Sequence, residues 1–310
     1  MKKLEKCDLC GRKSFEFLFK NKDKMKNIDE EYSLFKCNNC ELIFLNPQPT
    51  EKDLLKHYPK GYYSFKSKPK PKRLKLLYKT FYSKKGNVFL KVILFPIKTQ
   101  LRSTKIIPNG KILDVGCGSG DFLLLMKSLG MKCYGIEPGS FNDDFAKYNK
   151  LNIKRGSLEE IKFPSNFFDV ITLNHVFEHV KSPKEVLKEL KRILKPNGDL
   201  IIGIPQCDSL AFKIFKENWV QLDTPRHLFI YSPNVLKKYA ENTGFKINKM
   251  RYNSTPFQFL GSFLYLKNKQ LSKNIGFVQN KVFISLLMPI VFVLNLLKVG
   301  DQMEITLKKI

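Results

Sequence analysis

The sequence predicts an α/β fold: a mostly parallel sheet with helices on both faces, preceded by a small metal-binding module. Three observations carry this. From about residue 110 onward short apolar runs alternate with amphipathic segments of helix length. Helix start and stop signals fall between those runs, and two matched Cys-x-x-Cys pairs stand apart at the N-terminus. With 310 residues, 43% hydrophobic and 13% aromatic, the chain can bury a sizeable core, which excludes disorder for most of its length.

Residues 1–65 form the first unit. Cys7, Cys10, Cys37 and Cys40 form two pairs separated by 26 residues, the two-knuckle spacing in which four thiolates surround one tetrahedral Zn²⁺. Four thiolates leave no open coordination position, so the metal is expected to be structural. Two redox pairs would need two separate explanations. Cys117, Cys133 and Cys207 are scattered and form no pattern.

Residues 66–107 are expected to be a basic Lys/Pro linker followed by covering helices. Residues 66–75 read Lys-Ser-Lys-Pro-Lys-Pro-Lys-Arg-Leu-Lys, which repels itself and reads as extended. Residues 76–107 read as helices covering whatever the next domain binds.

Residues 108–310 make the main domain. Lys111–Val115, Lys132–Glu137, Asp169–Leu173 and Asp199–Ile204 read as buried strands of a parallel sheet. Ser182-Pro183-Lys184-Glu185 offers a cap Ser, Pro at the first helical position and Glu three after the cap. Ser232-Pro233 repeats the first two signals, and Gly244 marks a stop, which gives helices near 183–194 and 233–243. Lys246–Tyr252 and Glu304–Lys309 read as the last two strands, flanking an insertion at 253–302. Inside it Val282–Leu297 is sixteen residues without a charge, interrupted by Pro289 and Asn295. A spanning helix needs about 20 apolar residues, so the expectation is a helix packed on the sheet. The alternative is a peripheral bilayer contact, favoured by the flanking Lys281 and Lys298.

The charge is lopsided, 55 Lys+Arg against 28 Asp+Glu for a net +27. Such a field favours nucleic acid, an anionic membrane or phosphorylated substrates. Only seven of the basic residues are Arg, however, and phosphate and base readout leans on the guanidinium fork. Met1-Lys2-Lys3-Leu4-Glu5-Lys6 has no apolar signal core, so the expected location is the cytoplasm, with membrane association as an addition.

Asp114-Val115-Gly116-Cys117-Gly118-Ser119-Gly120-Asp121 carries the first strand into a glycine turn that opens a helix. Dinucleotide folds use such turns too, but with Gly-x-Gly-x-x-Gly spacing and a pyrophosphate at the helix N-terminus. Here Asp114 and Asp121 would oppose a diphosphate, so a ligand bearing an ammonium and a sulfonium fits better. Twenty-three residues after Asp114 the second strand ends in Glu137, where a carboxylate can accept both ribose hydroxyls.

With Gly135-Ile136-Glu137-Pro138, Phe168-Asp169-Val170-Ile171, Glu178-His179-Val180 and Leu194-Lys195-Pro196-Asn197-Gly198, this turn closely resembles the class I S-adenosylmethionine-dependent methyltransferases over about 108–252 and the final strand. The resemblance implies a Rossmann-like sheet, mostly parallel with an antiparallel last strand, and S-adenosylmethionine as cofactor. It implies that Gly116, Cys117, Gly118 and Gly120 hold the methionine part, with Asp114 near its ammonium, and that Glu137 takes the ribose. Ser157 and Leu158 would line the adenine; relatives often have Asp where Ser157 stands, so that contact rests on backbone. Asn174 and His175 would face the sulfonium and the acceptor. The cysteine unit resembles the N-terminal zinc-binding segments of bacterial small-molecule methyltransferases, as do Asn46-Pro47-Gln48-Pro49-Thr50 and His57-Tyr58-Pro59.

Transfer to a proton-bearing acceptor needs a base. His227, in the loop Trp219–His227 after the fifth strand, is favoured as base or acceptor ligand, with Asp223 and Arg226 as pocket walls. His175 and His179 are the other catalytic candidates, a structural role being as good a reading for both; His57 receives none. The expected acceptor is a small molecule, a sugar, polysaccharide or lipid-linked precursor. The alternatives are RNA, guided by the zinc module and the basic surface, and a non-catalytic scaffold. Asn174-His175-Val176-Phe177 is not the Asn-Pro-Pro-aromatic sequence of exocyclic amine methylases, and no Pro-Cys nucleophile occurs.

Overall fold

The computed structural model describes residues 1–58, 72–83, 87–98, 101–139 and 143–310. Residues 66–71 of the expected linker lie outside them, while residues 72–75 already belong to a helix, Lys72–Tyr82.

The N-terminal strands β1 (Phe15–Asp23), β2 (Ile28–Cys37) and β3 (Ile43–Leu45) form an antiparallel sheet. Next come β4 (Lys111–Val115), β5 (Lys132–Glu137), β6 (Asn152–Arg155), β7 (Phe168–Asn174) and β8 (Leu194–Pro205). Then β9 (Phe229–Ile230) leaves the main domain and pairs antiparallel with β3, Phe44 opposite Phe229, so the small sheet is finished by the loop that carries His227. The last strands are β10 (Phe245–Tyr252) and β11 (Gln302–Lys309).

The main sheet has the order β10-β11-β8-β7-β4-β5-β6. β4 through β8 pair in parallel, and only β11 runs against its neighbours. This is the expected Rossmann-like sheet with its antiparallel last strand. Central strands are apolar on both faces, as a doubly covered sheet requires: Ile112, Leu113, Ile171 and Ile202 are all fully enclosed. The order of strand succession reverses between β4 and β7, which opens a crevice at their carboxyl ends.

Helices Pro183–Ile193 and Pro233–Asn242 match expectation, and Gly244 adopts φ 73° at the predicted stop. Ser232 accepts from the Val235 N–H, but the Ser182 side chain makes no cap bond, so that helix starts on Pro183 alone. Helix Lys72–Tyr82 packs with Phe122 and Leu125 through Tyr78, on sheet residues Ile112 and Val170. None of the described residues 72–107 lines the cleft described below; helix Lys72–Tyr82 packs behind the sheet, while helix Val88–Ile93 leaves Val88, Phe89 and Val92 in solvent.

The insertion holds helices Phe257–Leu266, Ile275–Val278 and Lys281–Leu296. The helix at 282–297 packs by one side only, burying Val291, Leu294 and Asn295 beside β10, and leaves its opposite apolar side in solvent. Among the described residues no helix is long and apolar enough to cross a membrane.

Candidate active site

A cavity of about 1050 Å³ sits over the carboxyl ends of β4, β5 and β7. Pockets for a single drug-sized ligand span roughly 300–1,000 Å³, so there is room for a cofactor and part of an acceptor.

One end is built by the glycine turn. Gly116 has φ 66°, and a Cβ there would stand 2.4 Å from Val176 Cγ2, so the turn packs flat on the segment after β7. Glu137, buried at the end of β5, accepts from the Gly118 N–H at 2.8 Å and the Gly139 N–H at 2.9 Å. Burial pushes its carboxyl upward, opposed by those two donors. Its oxygens keep further lone pairs for a ligand. Gly116, Cys117, Gly118, Glu137, Ser157, Leu158 and Asn174 all line the cavity. Ser157 Oγ accepts from the Glu160 N–H, closing the turn after β6.

Two of the expected cofactor residues lie off the cavity. Asp114 is 1% exposed and does not line the cavity; Arg102 holds its carboxylate and the Thr172 hydroxyl donates to it at 2.7 Å. Its charge is therefore neutralised inside the protein, a role the sequence hid because Arg102 sits outside every motif. Gly120 also lies off the cavity, where a Cβ would meet Ile153 Cδ1 at 2.8 Å; it opens helix Asp121–Ser128 by packing closely.

The other end gathers His175, His179, His227 and Asp223 with Met25, Leu54 and Tyr58 of the N-terminal unit and Phe257, Tyr265 and Leu271 of the insertion. Sequence reading missed these two sets of walls, since no local signal marks contacts made across the fold.

Glu178, 1% exposed, lies between the histidines, 3.3 Å from His175 Nδ1 and 3.8 Å from His227 Nε2, and both its oxygens lack a well-formed hydrogen bond. Burial pushes this carboxyl up, but the contact with His175, with smaller contributions from the neighbouring His227 and His179, outweighs it and holds it below its ordinary value. For His175, burial acts downward, and Glu178 outweighs it, raising the imidazole. His227 is lowered to about 4, by burial and then by His179. His227 Nδ1 lies 2.8 Å from Gln221 O, so that nitrogen carries the proton and Nε2 keeps its lone pair; His179 Nδ1 faces Arg226 O in the same way at 2.8 Å.

Arg226 is not a pocket wall. It is 1% exposed behind Asp223, with its guanidinium on Asp223 (Nε to Oδ2, 2.9 Å) and Asp23 (Nη1 to Oδ2, 2.7 Å). Asp23 also holds His57 Nδ1 at 2.7 Å, so His57 belongs to a buried polar tie between the N-terminal unit and the His227 loop.

Among the described residues lining the cavity there is no Lys or Arg, while Glu51, Glu137, Glu159 and Asp223 all contribute. In a chain of net +27 this is a local reversal of sign. Two of these four are paired with cations outside the lining, Glu51 with Lys181 and Asp223 with Arg226, so the anionic character expected of the glycine turn rests on Glu137 and Glu159 and not on Asp114 or Asp121.

The cysteine unit lies apart. One ligand atom from each of Cys7, Cys10, Cys37 and Cys40 falls within 4.8 Å of the others, with Cys7 Sγ 3.4 Å from Cys40 Sγ and Cys10 Sγ 3.5 Å from Cys37 Sγ. Four sulfurs at about 2.3 Å from a tetrahedral ion would be about 3.8 Å apart, so the cluster fits one. The two loops repeat each other: Cys7 N–H bonds Arg12 O and Cys37 N–H bonds Leu42 O, while Gly11 and Glu41 occupy the same left-handed position at φ 73° and 67°.

Residues 92–249 match the model of a family described as methyltransferase domain. A mitochondrial ubiquinone biosynthesis O-methyltransferase of Schizosaccharomyces pombe is 34% identical over 111 residues, 33% of this chain and 40% of that protein. A tRNA U34 carboxymethyltransferase of Idiomarina loihiensis is 30% identical over 159 residues, 47% of this chain and 48% of that one. The chain spans about half the length of the curated relatives it matches. A solved SAM-dependent methyltransferase of Thermotoga maritima, described as a possible histamine N-methyltransferase, superposes with TM-score 0.44 at 20% identity, covering 70% of this chain and 87% of that one.

Proposed function

The chain belongs to the methyltransferase-domain family and is a class I S-adenosylmethionine-dependent methyltransferase, and we propose that its acceptor is a small, hydroxyl-bearing molecule, a sugar, polysaccharide or lipid-linked precursor. The observation that carries this is the cavity lining: four carboxylates and, among the described residues, no Lys or Arg, inside walls contributed by three parts of the chain. Such a lining suits a cationic cofactor and a neutral acceptor group, and it disfavours drawing a polyanion into the crevice.

S-adenosylmethionine supplies an activated methyl group. In this reading Glu137 takes the ribose hydroxyls, the Gly116–Gly118 turn bounds the methionine part, and Ser157 and Leu158 bound the adenine. The protein's remaining work is to orient the acceptor and remove its proton; orientation can supply about 7–11 kcal/mol. His175, raised by Glu178 and lining the cavity, is the stronger base. His227, neutral with a free Nε2, accepts a hydrogen bond from the acceptor hydroxyl, and Asp223 sits beside it at 3.8 Å. The four cysteines hold one structural Zn²⁺, which fixes the unit that supplies Met25, Leu54 and Tyr58 to the acceptor end.

The test is a labelled-methyl screen over sugars, nucleotide sugars, lipid-linked precursors and RNA, with metal analysis of the purified protein. Label in a small hydroxyl compound and about one zinc per chain are expected. Label confined to RNA would overturn the acceptor assignment, and zinc far below one per chain would remove the metal.

A further inference from the structure

The positive charge of this chain is not evenly spread. Between Asp53 and Asp114 there are sixteen Lys or Arg and no Asp or Glu; between Glu241 and Asp301 there are eight and again none. Those two stretches hold 24 basic residues, close to the whole +27 excess.

The same stretches carry the apolar surface. Helix Lys281–Leu296 has a packed stripe, Ile284, Leu287, Met288, Val291, Leu294 and Asn295, and opposite it a second stripe of helical period, Val282, Leu286, Ile290, Val293 and Leu297. The second stripe is 51–67% exposed. A helix that is apolar all round belongs in a core or in lipid, yet half of this one faces solvent. Helix Val88–Ile93 shows Val88, Phe89 and Val92 at 70–73% exposure, and two residues beyond it the ring of Phe95 meets that of Phe292 edge-on at 6.4 Å, which brings the two apolar segments together. Exposed Lys281 and Lys298 stand at the ends of the longer helix. Lys98 sits near Lys249, Lys91 and Arg251, the last of which is paired with Glu304, so the lysines supply the cationic margin.

We propose that this face, formed by residues 88–98 and 281–297, docks the protein on the surface of an anionic bilayer, its apolar stripe entering the headgroup boundary and its lysines meeting lipid phosphates. Single exposed apolar side chains are ordinary, but an extended apolar surface marks an interaction site, and a lysine-rich margin selects an anionic partner. The helix is sixteen residues long, too short to span, so it lies along the interface. The insertion also places Phe257, Tyr265 and Leu271 in the cavity wall, so the docked segment and the acceptor end are one structural unit. The proposal stands on this surface and not on the identity of the acceptor.

The test is flotation of the full chain with vesicles of phosphatidylcholine and phosphatidylglycerol at 70:30, against phosphatidylcholine alone. At least tenfold more protein is expected to float with the anionic vesicles at about 0.1 M salt, with a marked loss at 0.5 M. Leu286→Glu, Ile290→Glu and Val293→Glu combined should abolish flotation while the circular dichroism and S-adenosylmethionine affinity stay as in the parent. A second variant, Leu286→Trp, should show a blue-shifted emission on adding anionic vesicles. Flotation indifferent to the triple change, absence of flotation, or a concentration-dependent dimer in sedimentation that the triple change dissolves would each overturn the proposal, the last in favour of a second copy of the chain.

Discussion

The two ends of the cavity are built in opposite ways. The donor end comes from nearly contiguous chain, Val115 to Leu158, and its key carboxylate Glu137 is held by two backbone N–H groups within that span. The acceptor end is assembled from residues 25–58, 174–180, 220–227, 257–271 and 302, joined by β3–β9 pairing and the buried Asp23–Arg226–Asp223 tie. A contiguous site folds with its own supersecondary unit. A dispersed one depends on every tie between units, so the two ends should fail separately.

The sharpest way to break the comparison is to remove the metal cluster. Cys37→Ser with Cys40→Ser leaves the donor end intact but loosens the unit that supplies Met25, Leu54 and Tyr58. Turnover should fall below detection, while S-adenosylmethionine affinity by calorimetry stays within about threefold. Loss of cofactor binding in proportion would show that the two ends are one cooperative object.

Next in size is the proton. Replacing a positioned base typically costs about 10²–10⁴-fold, so His175→Gln should lower kcat by that range with little change in cofactor affinity. Because Glu178 raises His175, the acid limb of the parent's kcat profile should be shifted to higher pH than an ordinary histidine gives, and it should vanish in His175→Gln. For His227, lowered to about 4, His227→Gln should mainly raise the acceptor KM and leave that limb in place. The reverse pattern would exchange their roles.

The mirror image on the donor side is Glu137→Ala. It removes the ribose acceptor and frees the Gly118 and Gly139 N–H groups, so S-adenosylmethionine binding should weaken by about 10²-fold, of the order of 3 kcal/mol for charge-assisted bonds. Metal content should not change.

The contrast also explains what the sequence allowed. Strands Lys111–Val115 and Lys132–Glu137, the glycine turn and Glu137 were legible because apolar period, glycine spacing and strand-end position are local properties. The cysteine knuckles were legible for the same reason. Asp114 was misplaced because its neutralising partner Arg102 lies in a segment without pattern, and the anionic character then rests on Glu137 and Glu159. Arg226 reads like a pocket cation in its loop and becomes a buried tie only through Asp23, 203 residues away. For Val282–Leu297 composition gave the helix but not its outward face, since a stripe pattern cannot appear where every side is apolar.

The smallest effect concerns the exit of the insertion. Asp301 is fully buried; its Oδ2 accepts from Trp219 Nε1 at 3.2 Å, its Oδ1 makes no well-formed hydrogen bond among the described residues, and burial, opposed by Trp219 and Ser254, pushes the carboxyl up to about 7. In the unfolded chain an Asp titrates near 3.9. Between about pH 4 and 7 the unfolded state therefore releases a proton that the folded state keeps, and stability falls as pH rises through that window, levelling off above 7. Asp301→Asn keeps an oxygen for Trp219 and cannot ionise. The variant should equal the parent near pH 4 and exceed it at pH 8 by a few degrees in Tm, consistent with roughly 2–4 °C per kcal/mol for chains of 150–250 residues. Taking the variant-minus-parent difference removes the opposite trend from His227, whose lowered value costs stability as pH drops below about 6.5 in both proteins. A difference that stays flat from pH 4 to 8 would mean that Asp301 ionises normally and that the acceptor loop is not tied to the insertion by a neutral carboxyl.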